Sequence, residues 1–122
     1  MNPTGRLPLL SRLLAASGAL LAASAVGLSA YASHGAEEDA RMRLFLAATI
    51  AFGHGVALAA LAPQATGRWA NGALTLMLAG VVGFSGSVVA AHFFGTPTRL
   101  APIGGSLLML AWLLHAIDRM RR

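Results

Sequence analysis

Four long apolar runs, separated by short polar segments, organise this chain. Residues 13–33 contain no charged side chain. Residues 44–62 contain only His54, 73–94 only His92, and the shorter run 100–117 only His115. A bilayer's hydrocarbon core is about 30 Å thick, so a helix needs about 20 apolar residues to cross it. The intervening segments 34–43, 63–72 and 95–99 collect the charges and the turn formers Pro63, Gly67, Asn71-Gly72, Gly95 and Pro97. No window alternates polar and apolar residues as a strand would, and the runs are too uniformly apolar for barrel strands. The pattern predicts an all-α integral membrane bundle. It is one domain over 1–122, with four transmembrane helices at about 13–33, 44–62, 73–94 and 100–117.

The first run admits a second reading. Arg6 and Arg12, an apolar stretch and then Ala30-Tyr31-Ala32 resemble a secretory signal with its cleavage site. Signal cores span about 7–15 residues and this stretch is longer, so a retained helix is favoured. Cleavage would leave three spans.

Composition agrees with the pattern. Of 122 residues 57% are hydrophobic and 11% are charged, too few to cover a soluble surface. Soluble enzymes, nucleic-acid binders and disordered segments are excluded on that ground. The net charge of +5 comes from nine basic residues, all arginine, outside the apolar runs. With four crossings, Arg6, Arg12, Arg68, Arg119, Arg121 and Arg122 share one side, and Arg41, Arg43 and Arg99 the other. Six against three places both termini in the cytoplasm, with Glu37, Glu38 and Asp39 facing out. The basic C-terminal end reads as solvated and in contact with anionic lipid. There is no cysteine, which removes disulfides, thiolate metal sites and cysteine nucleophiles.

Small residues recur at every fourth position in three runs. They are Ala15, Ala19, Ala23 and Gly27, then Ala47, Ala51, Gly55 and Ala59, then Ala79, Gly83, Ser87 and Ala91. Such stripes let helix backbones approach in lipid, where burial of apolar surface no longer drives association. They predict a compact bundle, with a homo-oligomer or a membrane-protein partner as a further expectation. The fourth run, with Leu107, Leu108, Leu110, Leu113 and Leu114, reads as lipid-facing. Trp69 and Trp112 suit interfacial or packing positions. Val26-Gly27-Leu28-Ser29 and Val82-Gly83-Phe84-Ser85 also suggest a faint duplicated hairpin.

Chemistry would have to come from the few polar side chains in the spans. His54 and the pair Ser85 and Ser87 lie at mid-depth, so a hydrogen bond between His54 and one of these serines is expected. His34 and His92 lie near the outer surface and are the candidates for a metal or bis-histidine haem site. Their spacing is not that of a metal motif, so no metal and no cofactor is expected. His115 is placed to reach headgroups or pair with Asp118. No nucleophile elbow, P-loop or dinucleotide fingerprint occurs, so no enzymatic activity is expected. Pro102-Ile103-Gly104-Gly105 opens the fourth helix, and its glycines read as a close-approach point.

Phe84-Ser85-Gly86-Ser87 resembles the F-S-G-S signature of a small bacterial membrane family, domain of unknown function 423. A eukaryotic relative of that family is called transmembrane protein 256. Pro102, Ile103, Gly104 and Gly105, followed by Trp112, resemble its P-I-G-G…W element. His34 resembles its A-H position, and His54 the histidine after an aromatic in its second helix. The resemblance runs from about Leu13 to Ile117. It implies a four-helix inner-membrane protein and no established activity. The segment after His34 is shorter than is typical of the family, and His92 departs from its pattern. Three functions remain in view: a non-enzymatic packing or accessory protein, a small transporter or channel using His54, Ser85 and Ser87, and a histidine-ligated metal or haem protein.

Overall fold

A computed structural model describes residues 5–122. Four helices follow one another: α1 Leu9–His34, α2 Glu38–Leu61, α3 Gly67–Phe94 and α4 Leu100–Arg121, with a 3₁₀ turn at Ala62–Gln64 after α2. Each is long and apolar enough to cross a membrane. The helices overrun the apolar stretches because charged ends continue the helical hydrogen bonding. Glu38 and Asp39 occupy the first turn of α2, where the amino-terminal dipole favours acidic groups.

The turn signals act unequally. Gly95 ends α3 in the left-handed conformation at φ 67°, its N–H reaching the Ala91 carbonyl at 3.1 Å. Gly67, at φ 85°, opens α3. Asn71-Gly72, read from sequence as a turn, lies inside α3. There the Asn71 amide nitrogen donates to the Gly67 carbonyl at 3.0 Å, so local back-bonding replaces the turn. At the other end of the molecule Arg41 folds onto the end of α1. Its Nε donates to the Ala32 carbonyl at 3.1 Å and its Nη2 to the Ala36 carbonyl at 3.3 Å. A cation thereby meets carbonyls at and just beyond the end of α1, where the helix dipole is negative.

Polar side chains along the helices also satisfy themselves locally. The hydroxyls of Ser33, Thr49, Thr75 and Ser106 donate to the carbonyls of Ser29, Phe45, Asn71 and Pro102 at 3.0, 2.8, 2.8 and 2.9 Å. Each partner lies four residues back. Such bonds need no water, which suits a hydrocarbon surround.

α1 packs along α2 and α3 along α4, and the two hairpins join chiefly through α2 against α3. α1 and α4 share no packed seam, so the layout is not a closed ring. Each hairpin crosses at paired glycines. A Cβ on Gly18 would stand 2.5 Å from the Gly55 carbonyl oxygen, and one on Gly55 2.6 Å from that of Gly18. A Cβ on Gly104 would stand 2.3 Å from the Phe84 nitrogen and 2.6 Å from the Gly80 carbonyl oxygen. Backbone meets backbone at both crossings, as small residues permit in lipid. Leu14, Leu58, Leu74, Met77 and Val81 fill the space between.

The stripes have different fates. In α2, Ala47, Ala51 and Gly55 are buried as expected, with Gly55 against Gly18 of α1. In α1, the buried face is Ser11, Leu14, Gly18, Ala25 and Ala32, while Ala19, Ala23 and Gly27 face outward. The α1 expectation is corrected: both faces of an alanine-rich helix carry small residues, and spacing alone cannot choose between them. In α3, Ser87 is buried and Ala79 exposed. The duplication finds no matching environments, since a Cβ on Gly27 would meet nothing within 4 Å while one on Gly83 would meet Gly104. In α4, Leu110 and Leu113 are exposed but Leu108 is buried against the core.

Candidate functional site

His54 sits in the second half of α2 and faces α4. Its Nδ1 lies 2.7 Å from the Ile50 carbonyl oxygen and its Nε2 accepts the Trp112 indole N–H at 3.0 Å. A carbonyl only accepts and an indole N–H only donates. Both bonds together therefore require a neutral imidazole with its proton on Nδ1. Trp112 also presents its ring edge-on to His115, at a centroid distance of 6.0 Å.

Ser85 is buried on α3 and donates to the Ala47 carbonyl of α2 at 2.8 Å. Ser87 is buried too, but its Oγ has no partner. The expected bond from His54 to Ser85 or Ser87 is therefore corrected. Ser85 meets α2 at Ala47, seven residues before His54, which is about 10 Å along a helix axis. The three polar candidates do not converge.

The two quoted motifs do meet. Phe84 lies over Gly104 and Gly105: the first would drive a Cβ into the Phe84 backbone, and the second would meet the Phe84 ring at 3.9 Å. A Cβ on Gly86 would meet nothing within 4 Å. Pro102 and Ile103 are exposed in the first turn of α4, and the Pro102 carbonyl takes the Ser106 hydroxyl. Phe84, Ile50, His54, Gly105, Leu108, Met109 and Trp112 line an open cavity of about 340 Å³.

Where α1 and α3 end, His92 Nε2 lies 2.9 Å from the Tyr31 hydroxyl, and Tyr31 packs on Phe93 at 5.2 Å. His34 is exposed at the end of α1. Among the described residues no group of three or more His, Asp or Glu is placed to hold a metal ion.

Where α4 ends, the expected pairing of His115 with Asp118 is corrected. Asp118 is buried and pairs with Arg122 at 3.1 Å, not with His115, whose Nδ1 is buried without a partner. Arg122 also donates to the hydroxyl and carbonyl oxygens of Thr66, and Arg121 lies 5.5 Å over the Trp69 ring. The tail fastens the end of α4 to the start of α3. Arg122 is long enough to reach Thr66 because the short connections bring both segments to one end of the bundle.

The two aromatic–histidine pairs went unread in the sequence, although depth counting contains them. The second and fourth runs start 56 residues apart, and His54 and Trp112 are separated by 58. The first and third start 60 apart, and Tyr31 and His92 are separated by 61. Parallel helices carry such offsets unchanged.

A family model described as a protein of unknown function (DUF423) matches residues 28–105. That stretch contains His34, His54, the Phe84–Ser87 motif and the Pro102–Gly105 motif, and stops before Trp112. No solved structure matches the chain.

Proposed function

This chain belongs to the DUF423 family, and from its own geometry we propose that it is a non-enzymatic packing or accessory protein of a bacterial plasma membrane. The outer face of α1 carries this reading. Ala19, Ala23 and Gly27 are exposed there at four-residue spacing, and a Cβ on Gly27 would meet nothing within 4 Å. No seam among the described residues uses them. In lipid such a face lets another helix approach to backbone contact. The interior supports the same reading, because His54 and Ser85 are engaged separately with their own chain and form no shared polar path. Both termini lie on the cytoplasmic side in this proposal, on the arginine bias of the connecting segments.

Because the chain has no cysteine, single introduced cysteines report cleanly. Gly27→Cys in native membranes should cross-link to a second copy or to a heterologous membrane protein, and Ala23→Leu should abolish the product. A monodisperse monomer without adducts would overturn the proposal. For sidedness, Glu38→Cys should react with an impermeant reagent from outside and Arg68→Cys only after the membrane is opened. The reverse pattern would invert the orientation.

A further inference from the structure

We infer that the cleft between α2 and α4 binds one chain of an anionic phospholipid, with its phosphate held by Arg43. The cavity beside His54 and Trp112 has a neighbour of about 320 Å³ nearer the outer end, lined by Arg43, Leu46, Phe84, Val88, His92 and Thr98 among others. Phe84 borders both. The lining positions form one face of each flanking helix: 43, 46, 50 and 54 on α2, and 101, 105, 108 and 112 on α4. α2 and α4 run parallel, and the 58-residue offset of the His54–Trp112 bond also sets Arg43 level with Ala101. The two cavities therefore lie in line along α3 and adjoin at Phe84, and together form the cleft.

Its dimensions select the occupant. Arg43 to His54 spans eleven residues, or about 16 Å of helix. That is about half of the 30 Å hydrocarbon core, the length of one leaflet. The Trp112–His54 bond bridges the deep end, so a partner helix crossing the whole membrane could not follow the cleft, whereas an acyl chain ends there. Gly105 leaves the α4 wall without a side chain, and a Cβ there would meet only the Phe84 ring, at 3.9 Å.

The mouth selects the charge. Arg41 and Arg122 are committed to partners in the chain, but Arg43 makes no hydrogen bond or ion pair with any described residue. A guanidinium offers a planar fork of donors that matches phosphate, and the Thr98 hydroxyl lines the same mouth. Free phosphate would leave the long apolar part of the cleft unused. The lipid belongs to the leaflet on the side of the α1–α2 connection.

The test uses Trp112 as the reporter. Trp69→Phe leaves it the sole tryptophan of the full-length protein. The protein is reconstituted in phosphatidylcholine vesicles with a minor fraction of acyl-brominated phosphatidylglycerol or of acyl-brominated phosphatidylcholine. Phosphatidylglycerol should quench about fivefold more effectively, the factor one arginine provides near anionic lipid. Arg43→Gln should bring the ratio to about one, Arg43→Lys should keep most of it, and Arg99→Gln, outside the cleft, should leave it unchanged. Gly105→Leu, which projects into the cleft from the α4 wall, should at least halve quenching by phosphatidylglycerol. If Arg43→Gln loses its helical circular dichroism, the Lys and Leu variants still decide. Equal quenching by the two lipids overturns the site. So does a preference that survives Arg43→Gln or disappears with Arg99→Gln. Displacement by added inorganic phosphate would mark a phosphate site and overturn the lipid assignment.

Discussion

Trp112 on α4 donates its indole N–H to His54 Nε2 on α2 at 3.0 Å, which joins two helices that otherwise lean separately on α3. Interhelical hydrogen bonds in membrane proteins average about 0.6 kcal/mol and reach about 1.7. Trp112→Phe and His54→Ala should each destabilise the fold. In a double-mutant cycle in detergent the two should couple by about 0.6 kcal/mol, with additivity the contrary result.

The glycine crossings should be intolerant and the outward glycines permissive. Gly18→Ala and Gly55→Ala place a Cβ within about 2.6 Å of the facing backbone, and overpacking of this kind costs about 1–3 kcal/mol. Gly53→Ala and Gly86→Ala meet nothing within 4 Å. They should be neutral or stabilising by up to about 1 kcal/mol, from helix propensity. Thermal unfolding of the four variants side by side checks this order.

Two buried serines, two residues apart, should respond with opposite signs. Ser85→Ala removes the bond to Ala47 and should cost about 0.6 kcal/mol. Ser87→Ala removes a hydroxyl that is buried with no partner. It should be neutral or stabilising, because an unsatisfied polar group carries a desolvation cost. A Ser87→Ala loss as large as that of Ser85→Ala would show that Ser87 has a partner in the membrane.

Arg122 should matter more than its place at the chain's end suggests. Arg122→Ala releases Thr66 and leaves the Asp118 carboxylate buried without its partner. The expected loss is about 1–2 kcal/mol, with faster amide exchange across the α2–α3 connection. Asp118→Asn in the same background should recover part of it. Arg119→Ala, exposed and at the same end, is the control that should change little.

Much of the candidate site was legible piecewise. His54, Ser85, Phe84 and Gly104 stand out in the sequence as rare polar groups or small residues within apolar runs. Their partners did not follow from the pattern. Ser85 reaches α2 seven residues from His54, and Trp112 takes the imidazole that the serines were expected to bind. Depth along the membrane is written in residue number, but azimuth around each helix is not. Arg41 and Arg43 make the same point: two residues apart, they stand about 200° apart around α2, one on the end of α1 and the other at the cleft.

The order of the apolar runs by itself determined four helices and their approximate limits. A run of about 20 apolar residues has only one stable solution in hydrocarbon. Tertiary structure decided which face of each helix turns inward. In a soluble helix, the polar stripe marks the outside. In this chain lipid and core are equally apolar, so Ala19, Ala23 and Gly27 on α1 look no different from Gly18, Ala25 and Ala32 until backbone packing selects one set.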